Sequence, residues 1–132
     1  MISTDKVLFS LQMAEESLQE VQLLFRDGMT KSLLNSLYNV FYYGMEAVLR
    51  DQNFLSRNHA ELKKTFIEKI LRNHLIEKEE NSSPIMWEKE LETIFKVKDE
   101  NDKGILPHSQ EILRLIQTGT LFLNRIKNYL LI

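Results

Sequence analysis

A chain of 132 residues is the size of one ordinary domain, and 43% hydrophobic with 27% charged residues lets it bury a core beneath a polar surface. The absence of cysteine excludes disulfides, thiolate metal sites and cysteine nucleophiles. A formal net charge of -2 excludes a global basic field for nucleic acid or membranes, so any such contact has to come from a local patch.

The opening segment, MISTDKVLFSLQMAEES, lacks the long apolar stretch of a signal peptide and is already amphipathic. No apolar run reaches the roughly 18 residues of a membrane span. The expectation is a cytoplasmic protein without a membrane partner. Only four Gly and two Pro punctuate the chain, too little turn chemistry for a sheet protein, and the periodicity predicts an all-α domain of about five helices.

The first helix is predicted from about Asp5 to Asp27, on the stripe Val7, Leu11, Ala14, Leu18, Val21 and Phe25. Ser3 or Thr4 is placed to cap its start and Gly28 to end it. The second, from about Thr30 to Gln52, carries two stripes: Leu34, Tyr38, Phe41, Met45, Val48 and Leu33, Leu37, Val40, Gly44, Ala47. A helix apolar over so wide an arc must be covered on more than one side. The other helices and a second copy of the chain are the expected covers; the alternative is the central helix of a monomeric bundle.

Asn58 is placed to cap a third helix carrying Leu62, Phe66, Ile67, Ile70 and Leu71. Its Lys63, Lys64, Lys69 and Arg72 form a basic row, but Glu61 and Glu68 interleave with them, so an ordinary solvated face is expected. Residues 77–83 (EKEENSS) read as a loop, and Ser83-Pro84 as the start of a fourth helix bearing Trp87, Leu91, Ile94 and Phe95. Asp99 to His108 reads as a second loop, closed by Pro107. Ser109 is then expected to cap a last helix on the stripe Ile112, Leu115, Ile116, Phe122, Ile126 and Leu130.

Much of the familiar chemistry is missing. His59, His74 and His108 are far apart, with no Glu-x-x-His or His-x-x-x-His, so no metal site is expected. There is no Gly-rich phosphate loop and no G-x-S-x-G elbow, and no cofactor is expected. Tyr38, Phe41, Tyr42 and Tyr43 have faces that stack on bases, but at this spacing in an apolar helix they read first as core. Asn35 lies in the same helix, where a buried amide needs partners. Lys98, Asp102, Lys103 and His108 gather ionisable groups before the last helix. A lysine there can bind phosphate and a histidine can move protons; the alternative is a surface loop with a helix-dipole contact.

Asn35-Ser36-Leu37-Tyr38-Asn39-Val40-Phe41-Tyr42-Tyr43, followed by Ala47-Val48-Leu49, resembles the HEPN pattern N-R-x-Y-Y-A-x-F-Y/H and then A-L-L. Ala14 and Leu18, with Asp27-Gly28, resemble that family's opening A-x-x-x-L and its turn glycine. Arg57-Asn58-His59 before Phe66 resembles its K-x-H, and Phe95 to Lys103 resembles its F-x-x-R-x-x-A-D-Y. The likeness runs in order along nearly the whole chain.

The resemblance implies a four- to five-helix up-and-down bundle that dimerises. Many HEPN proteins are metal-independent ribonucleases of toxin–antitoxin or defence systems, often paired with a nucleotidyltransferase. Their signature is an Arg followed four to six residues later by His, a cation for the phosphate and a base for the ribose 2′-hydroxyl. Here Lys98 stands at the family's Arg, Lys103 at the Tyr after its Asp, and Ser36 at the Arg of the second-helix motif. The nearest surrogate of the signature is Lys103-x-x-x-x-His108.

Three functions follow as expectations. The first is a dimeric HEPN-like protein acting with RNA, nucleotides or a partner protein such as a nucleotidyltransferase-type antitoxin, its catalysis weak or lost. The second is an active ribonuclease toxin using Lys98, Asp102 and His108, and the third a purely structural helical interaction module. Asn35, Tyr38, His59 and Lys103 are the further candidate site residues.

Overall fold

The helices stop where the sequence supplies residues that tolerate a left-handed backbone. The computed structural model describes residues 4–54, 56–73, 75 and 84–131. In it α1 spans Thr4–Arg26, α2 Thr30–Asp51, α3 His59–Phe66, α4 Pro84–Asp102 and α5 Ser109–Leu131, with no strand among the described residues. One π-helical turn, Ile67–Leu71, extends α3. The expected cap at Ser3, the 77–83 loop with Ser83, and His74 lie outside the described residues.

Three helices end in the same way. Gly28, Asn53 and Gly104 have φ of 71°, 62° and 82°. The amide after each reaches back five residues: Met29 to Leu24, Phe54 to Leu49 and Ile105 to Glu100, at 3.0, 2.8 and 2.9 Å. The cap at Gly104 corrects the expected second loop. Residues 99–102 are the last turn of α4, because no residue before Gly104 breaks the helix. Lys98 and Asp102 therefore share one helical face. The start of α5 is displaced by one residue as well: Ser109 is already helical, and the His108 carbonyl accepts the Ile112 amide at 3.0 Å.

Both stripes of α2 are buried, from Leu33 and Leu34 through Leu37, Tyr38, Phe41 and Met45 to Val48. Its covers are α1 on one flank and α5, α4 and α3 on the others. The wide apolar arc is thus satisfied within one chain and does not by itself call for a second copy. Polar ties hold α1 to α2 along one edge. The buried Ser10 hydroxyl donates to Glu46 at 2.8 Å, and the Arg50 guanidinium donates to Ser10 Oγ at 2.8 Å and to the Lys6 carbonyl at 3.0 Å.

Phe25 departs from its expected place in the core, being 49% exposed. The chain turns away at Arg26, which leaves this last ring at the rim of a cavity of about 250 Å³ that Leu33, Ile112 and Leu113 also line. The basic row of α3 is a solvated face: Lys63 pairs with Glu92 at 2.8 Å and Arg72 with Glu88 at 3.1 Å. Among the described residues no helix is long and apolar enough to cross a membrane.

Glycines mark the crossing of α2 and α5. Phe122 is the hub of an aromatic core, its ring centroid 5.1 Å from Phe41, 5.3 Å from Trp87 and 5.9 Å from Phe66. A Cβ at Gly44 would lie 2.9 Å from this ring, and one at Gly119 would lie 2.9 Å from Leu37 Cδ1. Alanine gains about 1 kcal/mol of helix propensity at either site. The Phe122 ring, wedged among three others, has nowhere to go, so overpacking of about 1–3 kcal/mol prevails at Gly44. Leu37 Cδ1 is the end of a flexible side chain and gives way. Urea titration should therefore find Gly44→Ala destabilised, with Gly119→Ala close to the parent protein.

Candidate functional site

Spacings of three and four residues place Asn35, Tyr38 and Tyr42 on the edge of α2 that faces α3 and α4. α4 runs antiparallel beside it, since Asn101 meets Lys31 and Asn35 while Phe95 meets Tyr38. Asn58, through its cap on the Glu61 amide at 2.9 Å, sets the direction of the first turn of α3 and with it the position of His59.

These three elements converge on Tyr38. Its hydroxyl lies 2.7 Å from His59 Nδ1, the Phe95 ring packs edge-on at 5.1 Å, and Lys98 Nζ stands 5.8 Å over its ring. Lys98 also meets both carboxylate oxygens of Asp102, at 2.7 and 2.8 Å. Tyr42 continues the cluster with its ring 4.3 Å from that of His59. The aromatic group of α2 is therefore divided: Tyr38 and Phe41 are buried, whereas Tyr42 and Tyr43 are half-exposed.

Burial, followed by the nearby Tyr42 and the Asp102 charge, pushes the Tyr38 hydroxyl up to about 12. It stays protonated at neutral pH and can donate to His59 Nδ1, which turns the opposite ring nitrogen, Nε2, outward as the N–H. Burial and then the neighbouring Glu46 carboxylate raise Tyr42 as well. In chemical terms the site offers an ammonium held by one carboxylate, an exposed imidazole and two phenols, a set suited to holding an anion and moving a proton.

The sequence candidates separate on this map. Asn35, Tyr38, His59, Lys98 and Asp102 come together. Asn35 is exposed, not buried as its apolar helix led one to expect, and its Oδ1 accepts from Asn101 Nδ2 at 3.3 Å. Lys103 turns to the next face of α4 and pairs with Asp99 at 3.1 Å, both well exposed. His108 stands exposed at the start of α5 and makes no side-chain hydrogen bond or ion pair among the described residues.

The sequence reading passed over Asn101, which is fully buried and donates from Nδ2 to the Lys31 carbonyl at 3.0 Å; its Oδ1 has no hydrogen-bond partner among the described residues. A polar residue three positions after Lys98, in phase with Ile94 and Val97, was the available signal. Among the described residues no three His, Asp or Glu side chains gather as a metal site. No known protein-family model matches the chain, and no curated protein matches it either.

The raised Tyr38 has a measurable consequence. An unfolded tyrosine ionises near 10, the folded one near 12, so its contribution is fully present below pH 10 and is lost as the pH climbs toward 12. Urea midpoints across this alkaline range should fall more steeply for the parent protein than for Tyr38→Phe. At neutral pH the Phe variant should be weaker by about 0.5–1.5 kcal/mol, the worth of the lost hydrogen bond.

Proposed function

We propose that the protein is a HEPN-like helical protein that binds RNA or a nucleotide at the Lys98–Tyr38–His59 site, with catalysis weak or lost. On this reading it works as a homodimer beside a nucleotidyltransferase-type partner in a toxin–antitoxin or defence setting. The supporting observation is the convergence of Lys98 and His59 on Tyr38, from two helices that the sequence separates by 39 positions.

An anion needs Lys98 to leave Asp102. The two side chains are 28% and 55% exposed, and an i, i+4 pair so open to water is worth only about 0.3–0.5 kcal/mol. A phosphate takes the ammonium over at little cost. Catalysis is a different demand. Lysine is a point charge without the two-pronged contact of a guanidinium, so charge developing on a phosphoryl group is held less firmly. The loss of one preorganised donor costs about 10²–10³ in rate.

The ribonuclease reading gains from the position of His59. In the tautomer that donates Nδ1–H to the Tyr38 oxygen, Nε2 carries the lone pair that accepts the proton of a ribose 2′-hydroxyl. Among the described residues His108, at the start of α5, is the other imidazole. In a homodimer, Leu8, Phe9 and Leu23 of α1 and Leu121 of α5 are exposed apolar side chains open to a second copy. Light scattering should then report twice the chain mass.

With the purified protein, Lys98→Ala should weaken binding of single-stranded RNA about tenfold or more and reduce its salt dependence by about one phosphate contact. Cleavage should be slow or absent. Any residual activity should vanish in His59→Ala and persist in His108→Ala. Rapid cleavage that survives both Lys98→Ala and His59→Ala would move the chemistry off this site.

A further inference from the structure

The exposed ridge of α2 beside this site carries groups that phosphate binding leaves unused. Asn35, Asn39, Tyr42 and Glu46 follow one another at spacings of three and four and so form one row along the helix. Asn39 is half-buried, and its amide makes no hydrogen bond among the described residues. Tyr42 is also half-buried. Its ring and that of His59 are inclined by 39° with centroids 4.3 Å apart.

The order of charges along the row has a direction. Lys98 stands at the level of Tyr38, the Tyr42–His59 rings come one turn later, and Glu46 lies one turn beyond them. A phosphate is drawn to the Lys98 end, while Glu46 at the other end is already engaged by Arg50, whose guanidinium lies 3.6 Å from the carboxylate. Between them a flat ring meets the half-exposed Tyr42, packed against His59 on one side and neighboured along the ridge by the unengaged Asn39 amide. Every nucleobase has a face that stacks on such a surface. An amide presents a donor and an acceptor side by side, the complement of the amino group and ring nitrogen of adenine.

We infer that the site takes a nucleotide unit of single-stranded RNA, with its phosphate at Lys98, its base on the side of Tyr42 turned away from His59, and the base edge, preferably adenine, read by Asn39. The inference rests on the RNA reading above and adds the residues that select the base. Neither buried aromatic, Tyr38 or Phe41, has a free face for this purpose, and of the half-exposed Tyr42 and Tyr43 it is Tyr42 that stands in one row with Asn39 and Asn35.

Fluorescence anisotropy with short oligoadenylate, oligouridylate and an abasic oligonucleotide of equal length tests it. The parent protein should prefer oligoadenylate. Tyr42→Leu should lose about 5- to 100-fold in oligoadenylate affinity, whereas Tyr42→Phe keeps the stacking face and the affinity. Asn39→Ala should level adenylate with uridylate, and the abasic strand should bind all these variants equally. Should Tyr42→Leu fail to fold, the preference lost in Asn39→Ala but kept in Tyr42→Phe decides the matter. Equal binding of the oligoadenylate and abasic strands by the parent protein would sink the base platform while leaving the phosphate contact at Lys98 in place. If no strand binds at all, the abasic one included, the RNA reading falls and this inference with it.

Discussion

Everything in this bundle depends on how near α5 can come to α2. The Phe122 ring occupies the space that a side chain at Gly44 would fill, and Leu37 occupies the corresponding space at Gly119. An ordinary side chain at Gly44 would push the helices apart there, and the ring packing among Phe41, Phe66, Trp87 and Phe122 would open. Because the approach is close, a single chain covers the broad apolar arc of α2. The helix is sheathed by its own neighbours on all but one narrow side.

That narrow side is where the candidate site lies. Burying most of α2 fixes the phase of the rest, so Asn35, Asn39 and Tyr42 emerge together between α1 and the α3–α4 pair. Tyr38 is the hinge between these two regimes, its ring in the core and its hydroxyl at the surface on His59. Its resistance to ionisation and its hold on the imidazole have one origin, a phenol whose body is buried and whose tip reaches a polar partner. The ammonium of Lys98 completes the set from α4. Packing and chemistry are therefore not separable here.

Much of this was legible in the residues. Stripes at spacings of three and four are a direct image of burial, and they located the cores of all five helices, with Leu91, Ile94, Phe122 and Ile126 buried as their phase required. What misled was local chemistry read without context. A run of charged residues at 98–103 looks like a loop, yet pairs four apart neutralise it along a helix, and the stop comes from Gly104. Phe25 is in phase with the core, but its helix ends before the core reaches it. Asn35 lies in an apolar helix on the one side that is uncovered. The assembly of Lys98 with His59 was beyond periodicity altogether, since it depends on which helices become neighbours, a property of the whole chain.

Asn101 gives the arrangement a further property. It joins the last turn of α4 to the first of α2, through the Lys31 carbonyl and the Asn35 amide, and it does so in full burial. A slip of α4 by one residue would carry Lys98 about 1.5 Å along α2 and strand the Asn101 donor, at a cost of about 1–3 kcal/mol. The amide thus works as a ruler for the register of α4 against α2, and so for the turn of α2 beside which Lys98 stands. Register therefore sets where along α2 the ammonium starts, and the four-carbon stem of Lys98 sets how far it can reach from there.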